Sequence, residues 1–185
     1  MSANTRMPVL FVGHGSPMNA IEDNEFSRTW EELGRTLPRP KAVLCISAHW
    51  ETRGTSITAM SQPRTIHDFY GFPRELNEKQ YPAPGSSLLA DMVKRTVSLV
   101  EVIEDHDWGL DHGSWSVLCR MYPAVVQLSL NRDLSLDEHY RLGQELAPLR
   151  DEGIMILGSG NMVHPLVWQP GSKPVMTGRS STMRD

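Results

Sequence analysis

Three apolar, strand-like segments of this sequence lead into a histidine that has glycine or other small residues nearby. The histidines are His14, His49 and His164, and their segments begin at Val9, Val43 and Ile154. In an open α/β sheet, the carboxyl ends of the strands line the crevice where ligands bind. Because histidine is the commonest metal ligand among side chains, three imidazoles at that edge could hold a metal ion. The spacing therefore predicts metal-dependent chemistry.

A fourth histidine, His112, lies between Asp111 and Gly113. Gly113 opens space beside it, and the Asp111 carboxylate could orient a neighbouring side chain. A histidine at a turn that leads into a helix can act as a general acid or base, and it can equally serve as a helix cap. The sequence leaves these two roles of His112 open.

Several familiar motifs are missing from the sequence. It has no HExxH and no CxxC, which argues against the usual zinc-protease and zinc-finger sites. It has no GxSxG, so a serine-hydrolase nucleophile is unsupported. The small residues before His164 lack the GxGxxG spacing of a dinucleotide site. The histidines therefore remain the best candidates for catalysis.

Strand patterns alternate with helix patterns along the chain. Apolar runs predict strands over 8–13, 42–49, 56–60, 98–103, 124–130 and 153–157, and spacings of three and four predict helices over 24–36, 86–96, 114–122 and 135–150. Asp23 is the expected cap of the first helix and Ser135 that of the last. This alternation predicts an α/β fold with a largely parallel sheet that helices flank.

The connection over residues 61–84 is long and rich in proline, glycine and aromatic residues. Long connections inside a domain are usually functional, so this one could form a lid or a wall of the substrate site. The alternative is a surface excursion that its own aromatic side chains pack together. His67, next to Asp68 on this loop, is a candidate substrate contact.

Composition narrows the classes of protein and partner. The chain has 185 residues, enough for one domain with a real core, and its mean hydropathy is −0.34. A net charge of −4 and a pI near 6.0 argue against a nucleic-acid partner. No apolar run reaches the roughly 20 residues that a membrane span needs. Cys45 and Cys119 are expected to be buried thiols in a reducing cytoplasm.

Five motifs, in order along the chain, resemble the class III extradiol ring-cleavage dioxygenases. Within that family the resemblance is greatest to the 4,5-DOPA extradiol dioxygenase group. The motifs are Gly13-His14-Gly15-Ser16-Pro17-Met18, Ser47-Ala48-His49-Trp50, the loop from Ile66-His67-Asp68-Phe69 to Gly71-Phe72-Pro73, Asp111-His112-Gly113-Ser114-Trp115 and Gly160-Asn161-Met162-Val163-His164. The similarity runs from about Met7 to about His164.

The resemblance implies a three-layer α/β/α fold and a non-haem metal, Fe(II) for turnover, with Zn(II) as the alternative. It implies a small catechol, DOPA-like, and dioxygen as the substrates. The roles that follow are metal ligands at His14, His49 and His164 and a catalytic histidine at His112. Ser16, in the first motif, and His67, on the long loop, are the predicted substrate contacts. In more distant relatives the position of His164 supplies the acid or base instead, so both roles stay open for it.

The C-terminal part departs from the family pattern. Members of the family are longer and carry a further histidine motif that supplies the last metal ligand, and Pro165 stands where they have asparagine. We therefore expect one catalytic domain over 1–185 that is incomplete at its C-terminus. Residues from about 166 to 185 are expected to be an atypical tail, disordered or frameshifted, and sequencing of the gene tests this.

Two alternatives to ring opening follow from the same residues. The histidine cluster would also permit a metal-dependent hydrolase on a similar fold. A shortened chain could instead be an inactive remnant that still binds metal. Iron-dependent oxygen uptake separates ring opening from hydrolysis, and metal binding without turnover indicates the remnant.

Overall fold

A six-stranded sheet forms the centre of the molecule, with the strand order β1-β6-β2-β5-β3-β4. The computed structural model describes residues 6–122 and 124–161. The strands are β1 (Val9–Val12), β2 (Ala42–Thr52), β3 (Thr55–Thr58), β4 (Val102–Asp105), β5 (Val125–Asn131) and β6 (Ile154–Ser159).

Four neighbouring strands, β1, β6, β2 and β5, run parallel. β3 is antiparallel to β5 at the pair Ile57 and Leu128, and β4 is parallel to β3. The predicted largely parallel sheet is therefore confirmed. Its consequence is that the carboxyl ends of four strands meet at one edge, which is where the site lies.

Helices cover both faces of the sheet. They are α1 (Glu25–Thr36), α2 (Arg74–Glu78), α3 (Ser87–Thr96), α4 (His112–Leu118) and α5 (Leu136–Leu146), with 3₁₀ turns at Pro17–Ala20 and Ala147–Glu152. Trp30 of α1 and Trp115 of α4 pack in one core cluster with Cys45 of β2. Leu89 of α3 and Leu142 of α5 belong to the cluster on the other face. The three-layer α/β/α fold is confirmed.

The central strand β2 shows why its sequence is continuously apolar. Val43 and Cys45 belong to the cluster under α1 and α4, whereas Leu44 between them belongs to the cluster under α3 and α5. All three side chains are fully buried. Successive side chains of a strand point to opposite faces, so a strand covered on both sides needs apolar residues at every position.

Two helix starts differ from their predicted positions because of capping. The cap of α1 is Asn24 rather than Asp23, since the Asn24 side chain accepts from two backbone N–H groups and Ser27 completes a capping box. Helix α4 begins at His112, two residues before the predicted start, because the Asp111 carboxylate accepts from the Ser114 N–H. The second difference makes His112 the first residue of a helix.

Two other segments also differ. β4 covers Val102–Asp105, whereas the pattern placed it over 98–103, because the N–H groups of Ser98 and Leu99 donate to the Glu145 carboxylate instead. The last helix ends as an α-helix at Leu146 and continues as a 3₁₀ turn containing Pro148, which has no N–H to donate.

The loop over 61–84 is packed against the body of the molecule. It contains the short helix α2 and a single bridge between Thr65 and Leu110. Phe69 and Phe72 lie edge to face with ring centres 5.2 Å apart, and both contact the core cluster that contains Trp115. The aromatic residues of the loop thus pack it against the core, and the loop does not form a separate excursion into solvent.

Both cysteines are free thiols. Cys45 is fully buried, but Cys119 is only half-buried, which corrects the prediction that both are buried. Among the described residues, every helix falls short of the length and apolarity that a membrane-spanning segment requires. The predicted tail over 166–185 lies outside the described residues.

Candidate metal centre

Three histidine side chains converge at the carboxyl edge of the sheet. His14, His49 and His112 each offer one nitrogen, and these atoms lie within 4.8 Å of one another. The Nε2 atoms of His14 and His49 are 3.1 Å apart. The ring centres of His49 and His112 are 4.0 Å apart. The cluster could hold one metal ion.

The spacing fits a shared ion. Two ligands that lie about 2.1 Å from one metal at a right angle are about 3 Å apart, close to the separation of the His14 and His49 Nε2 atoms. Imidazole nitrogen suits iron and zinc, the two metals expected for this chain. The donor set of the described residues therefore fits the expected cofactor without choosing between the metals.

His14 follows the carboxyl end of β1 and is almost fully buried. Its backbone carbonyl accepts a hydrogen bond from the Asn19 side chain at 3.1 Å. Its ring Nδ1 lies 3.0 Å from the hydroxyl of Ser159, the last residue of the neighbouring strand β6. The ring is thus held from both its backbone and its Nδ1 side, with Nε2 toward His49.

His49 lies in the carboxyl-terminal half of β2 and is half-buried. Its backbone N–H donates to the Ser47 hydroxyl at 3.2 Å. The register between β2 and β5 shifts between Ile46 and Glu51, so His49 lies on an irregular part of the strand. Such irregularities re-aim side chains next to sites.

His112 comes to the cluster from helix α4. A cap of Asp111 starts the helix at this residue, so its side chain projects from the first turn toward β2. Gly113 makes the approach possible, because a Cβ there would lie 2.5 Å from Ser47 Oγ and 2.9 Å from His49 Cδ2. Phe69 of the long loop meets the His112 ring edge to face at 5.6 Å.

Asp68 of the long loop touches two histidines of the cluster. Its carboxylate lies 2.9 Å from His112 Nδ1 and 3.7 Å from His49 Nδ1, and it also accepts from the His112 backbone N–H at 2.9 Å. Burial alone would raise the pKa of Asp68, but the contacts with His112 outweigh burial and hold this pKa below its ordinary value. Asp68 therefore carries a negative charge beside the cluster.

Asp111 lies beneath the cluster and is completely buried. Its carboxylate accepts from the Ser47 hydroxyl at 2.7 Å, from the Ser114 N–H at 3.0 Å and from the Gln127 amide. Burial raises the pKa of Asp111, and the hydrogen bonds from Ser47 and Gln127 act in the opposite direction. The group thus joins α4, β2 and β5.

Three further residues were predicted for the site. His164, predicted as a ligand or an acid/base, lies outside the described residues. His67 holds the loop together, since its Nε2 donates to the Lys79 carbonyl at 2.8 Å. Ser16 caps the 3₁₀ turn and lines an open cleft of about 540 Å³ beside the His14 segment. Substrate contacts at His67 and Ser16 stay predictions.

The hydrogen-bonding roles of Ser159, Ser47 and Gln127 were not predicted from the sequence. Each is a polar residue inside or at the end of an apolar strand, and each is buried. Buried polar side chains need hydrogen-bond partners, so their position in such strands was the available signal. The signal marks a polar network but does not reveal its partners.

The comparisons with known proteins agree on one family. The family model of the catalytic LigB subunit of aromatic ring-opening dioxygenase matches residues 8–173. A 4,5-DOPA dioxygenase extradiol of Escherichia coli (strain K12) is 52% identical over 180 residues, which cover 93% of this chain and 66% of that protein. The protein of the same name from Beta vulgaris is 44% identical over 165 residues, with 84% and 62% covered.

A solved structure agrees with these relatives. The crystal structure of an uncharacterized protein from Escherichia coli K12 matches with a TM-score of 0.72 at 48% identity, and the match covers 86% of this chain and 62% of that one. The chain thus spans just under two thirds of the length of the relatives it matches.

Proposed function

The chain belongs to the family of the catalytic LigB subunit of aromatic ring-opening dioxygenases, and we propose that it opens the ring of a catechol with dioxygen. The observation that carries the proposal is the convergence of His14, His49 and His112 at the carboxyl edge of the sheet. Relatives named 4,5-DOPA dioxygenase extradiol suggest a catechol with a DOPA-like side chain.

We assign the metal to His14 and His49, whose Nε2 atoms are 3.1 Å apart, and keep His164 as the predicted further ligand. Fe(II) is the proposed metal for turnover, and Zn(II) is the alternative. The chemistry that a ferrous ion supplies in such a site is electron transfer between an aromatic diol and dioxygen, which needs positions that the protein leaves open.

His112 is the proposed acid and base. Its ring is next to His49, so a catechol hydroxyl at the cluster comes within reach of it. Imidazole titrates near pH 6.5, which suits taking a hydroxyl proton and returning it later. The Asp68 carboxylate lies 2.9 Å from His112 Nδ1 on the other side of the ring from Nε2. The loop that carries Asp68 and Phe69 then acts as a wall of the site.

Oxygen consumption tests the function. The full chain is loaded anaerobically with Fe(II) and mixed with L-DOPA and simpler catechols at an oxygen electrode. We expect oxygen uptake with a yellow ring-opened product, and loss of both in His14→Ala. The matched control is His106→Ala, since His106 is exposed and pairs only with Glu104 among the described residues.

Other outcomes decide against ring opening. Bound Fe(II) without oxygen uptake would favour the inactive metal-binding remnant. Metal-dependent ester or amide hydrolysis without oxygen uptake would favour the hydrolase, which the family match does not favour. We also propose a cytoplasmic location, which the free thiols of Cys45 and Cys119 support.

A further inference from the structure

The Ser159 hydroxyl at the end of β6 lies between two groups of the candidate site. On one side it contacts His14 Nδ1 at 3.0 Å. On the other side it donates to the backbone carbonyl of Gly113, in the first turn of α4. Ser159 and His14 are both at most 2% exposed, so water does not compete for these bonds.

Counting hydrogens assigns the direction of both contacts. A serine hydroxyl has one hydrogen and two lone pairs, and a carbonyl oxygen can only accept. Two oxygen atoms at hydrogen-bonding distance repel unless a hydrogen lies between them, so the Ser159 hydrogen points at the Gly113 carbonyl. Only lone pairs of Ser159 then face His14, and Nδ1 of His14 must carry a hydrogen.

We propose that Ser159 is a positioning residue that holds His14 in the Nδ1–H tautomer. In the neutral ring, Nε2 is then the nitrogen that carries the lone pair, and this is the atom that faces His49 across 3.1 Å. This inference rests on the proposed metal site, because it explains how His14 presents a ligand atom before any metal binds. A hydrogen bond at the other ring nitrogen fixes the tautomer and orientation of a ligating histidine and raises the basicity of its ligating nitrogen.

The same hydroxyl also joins His14 to the helix that carries His112. Its acceptor, the Gly113 carbonyl, belongs to the residue after His112. β6 pairs with β1, with Ser159 opposite Val12, which places the hydroxyl beside the segment that holds His14. The geometry of Ser159 is thus set by the sheet and by α4 together, independently of the histidine.

Three variants test the proposal in the full chain: Ser159→Ala, Ser159→Thr and Ser116→Ala. Ser159→Thr keeps the hydroxyl at a strand position, where threonine is well tolerated. Ser116→Ala is the matched control, because Ser116 is also fully buried near the site, and its hydroxyl has no hydrogen-bond partner within the described part of the chain.

The first readout is the tautomer. Nitrogen-15 NMR of the imidazole rings in the metal-free protein, with His14 assigned through a His14→Asn variant, distinguishes hydrogen at Nδ1 from hydrogen at Nε2. We expect Nδ1–H in the wild type, Ser159→Thr and Ser116→Ala, and a population of Nε2–H in Ser159→Ala. Hydrogen at Nε2 of wild-type His14 would overturn the proposal.

The second readout is affinity for Zn²⁺ alone, measured by competition with a chromogenic chelator. Loss of an outer-shell partner of a metal ligand weakens binding by about 10–100-fold, and we expect this loss in Ser159→Ala only. Equal Zn²⁺ affinity of Ser159→Ala and wild type would contradict the proposal. If the wild type binds no Zn²⁺, the proposed metal site is wrong. The tautomer measurement would still decide whether Ser159 positions His14.

Discussion

Two buried or half-buried carboxylates near the histidine cluster differ in what they contact. Asp68 reaches His49 and His112 from the long loop and stays charged, with its pKa lowered by His112 against the effect of burial. Asp111 lies below, where its hydrogen-bond donors are Ser47, Ser114 and Gln127. Single-residue changes should therefore distinguish the effect of the Asp68 charge from that of the hydrogen-bond network of Asp111.

Replacing Asp111 with alanine should destabilise the protein. The change removes the cap of α4, worth about 1 kcal/mol, and leaves the buried donors of Ser47 and Gln127 without their acceptor, at about 1–3 kcal/mol for such a group. We expect urea unfolding to show a loss of about 3 kcal/mol or more for Asp111→Ala, because both donors lose their acceptor. Asp107→Ala, at an exposed aspartate nearby, is the control and should stay within about 0.5 kcal/mol of wild type. A similarly small effect at Asp111 would contradict the role of its network.

At the scale of elements, helix α4 packs closely against β2 because Gly113 has no side chain. A Cβ on Gly113 would lie 2.5 Å from Ser47 Oγ and 3.2 Å from Asp111 Oδ1, and a Cβ on Gly143 of α5 would meet nothing within 4 Å. One helical glycine is thus needed for packing at the site, and the other is not.

The two glycines make a matched pair of alanine variants. Gly143→Ala should stabilise the protein by up to about 1 kcal/mol, because alanine is the better helix former. Gly113→Ala should destabilise it and weaken Zn²⁺ binding, because α4 must move away from the two histidines of the other elements. Thermal unfolding and chelator competition measure both effects. Unchanged Zn²⁺ affinity in a folded Gly113→Ala protein would show that the close approach is not needed.

A carboxylate of α5 ties down the turn after α3. Glu145 accepts from the Ser98 N–H at 2.7 Å, the Ser98 hydroxyl at 2.6 Å and the Leu99 N–H at 3.0 Å. These bonds hold the pKa of Glu145 below its ordinary value. A lowered folded-state pKa contributes stability that is present above the unfolded value, near pH 4.5, and is lost as the pH falls through the folded value.

Glu145→Gln should therefore lower the melting temperature at pH 7, and its difference from wild type should shrink as the pH falls below about 4.5. Glu152→Gln, at an exposed glutamate of the following turn, is the charge-matched control, because it leaves the bonds from Ser98 and Leu99 to Glu145 in place. A Glu145→Gln effect that is the same size at pH 7 and pH 4 would contradict the assignment to the ionised carboxylate.

At the scale of the whole molecule, the core reaches directly under the site. Cys45 lies in the first half of β2 and is fully buried, and its thiol contacts the Ser114 hydroxyl of α4. Burial raises the pKa of this thiol to about 12. Because the thiolate is the reactive form, Cys45 should react only when the sheet and α4 come apart.

Thiol labelling at pH 8 in Cys119→Ala reports this opening. We expect Cys45 to react at the rate of global unfolding, with the denaturant dependence of the whole molecule. Labelling that is faster and insensitive to denaturant would show that α4 leaves the sheet in a local opening, which would place the site on a mobile element. Cys45→Ala is the control, in which the half-buried Cys119 should be labelled without global unfolding.

The sequence by itself determined the layered α/β class and two members of the cluster. Alternating strand and helix patterns imply parallel strands, and parallel strands bring their carboxyl ends together, so His14 and His49 could be placed at one edge from local patterns alone. The membership of the chain in the family of ring-opening dioxygenases also follows from its sequence motifs. These properties depend on neighbours in sequence and on general rules of sheet topology.

The tertiary structure decided how other groups reach those two histidines. His112 joins them because α4 starts at Asp111 and approaches β2 over Gly113, and Asp68 joins them because a long loop packs through its aromatic residues. The contact between Ser159 and His14 links residues 145 positions apart. No local pattern encodes such pairs, because they arise when separate elements pack and their buried polar groups must find partners.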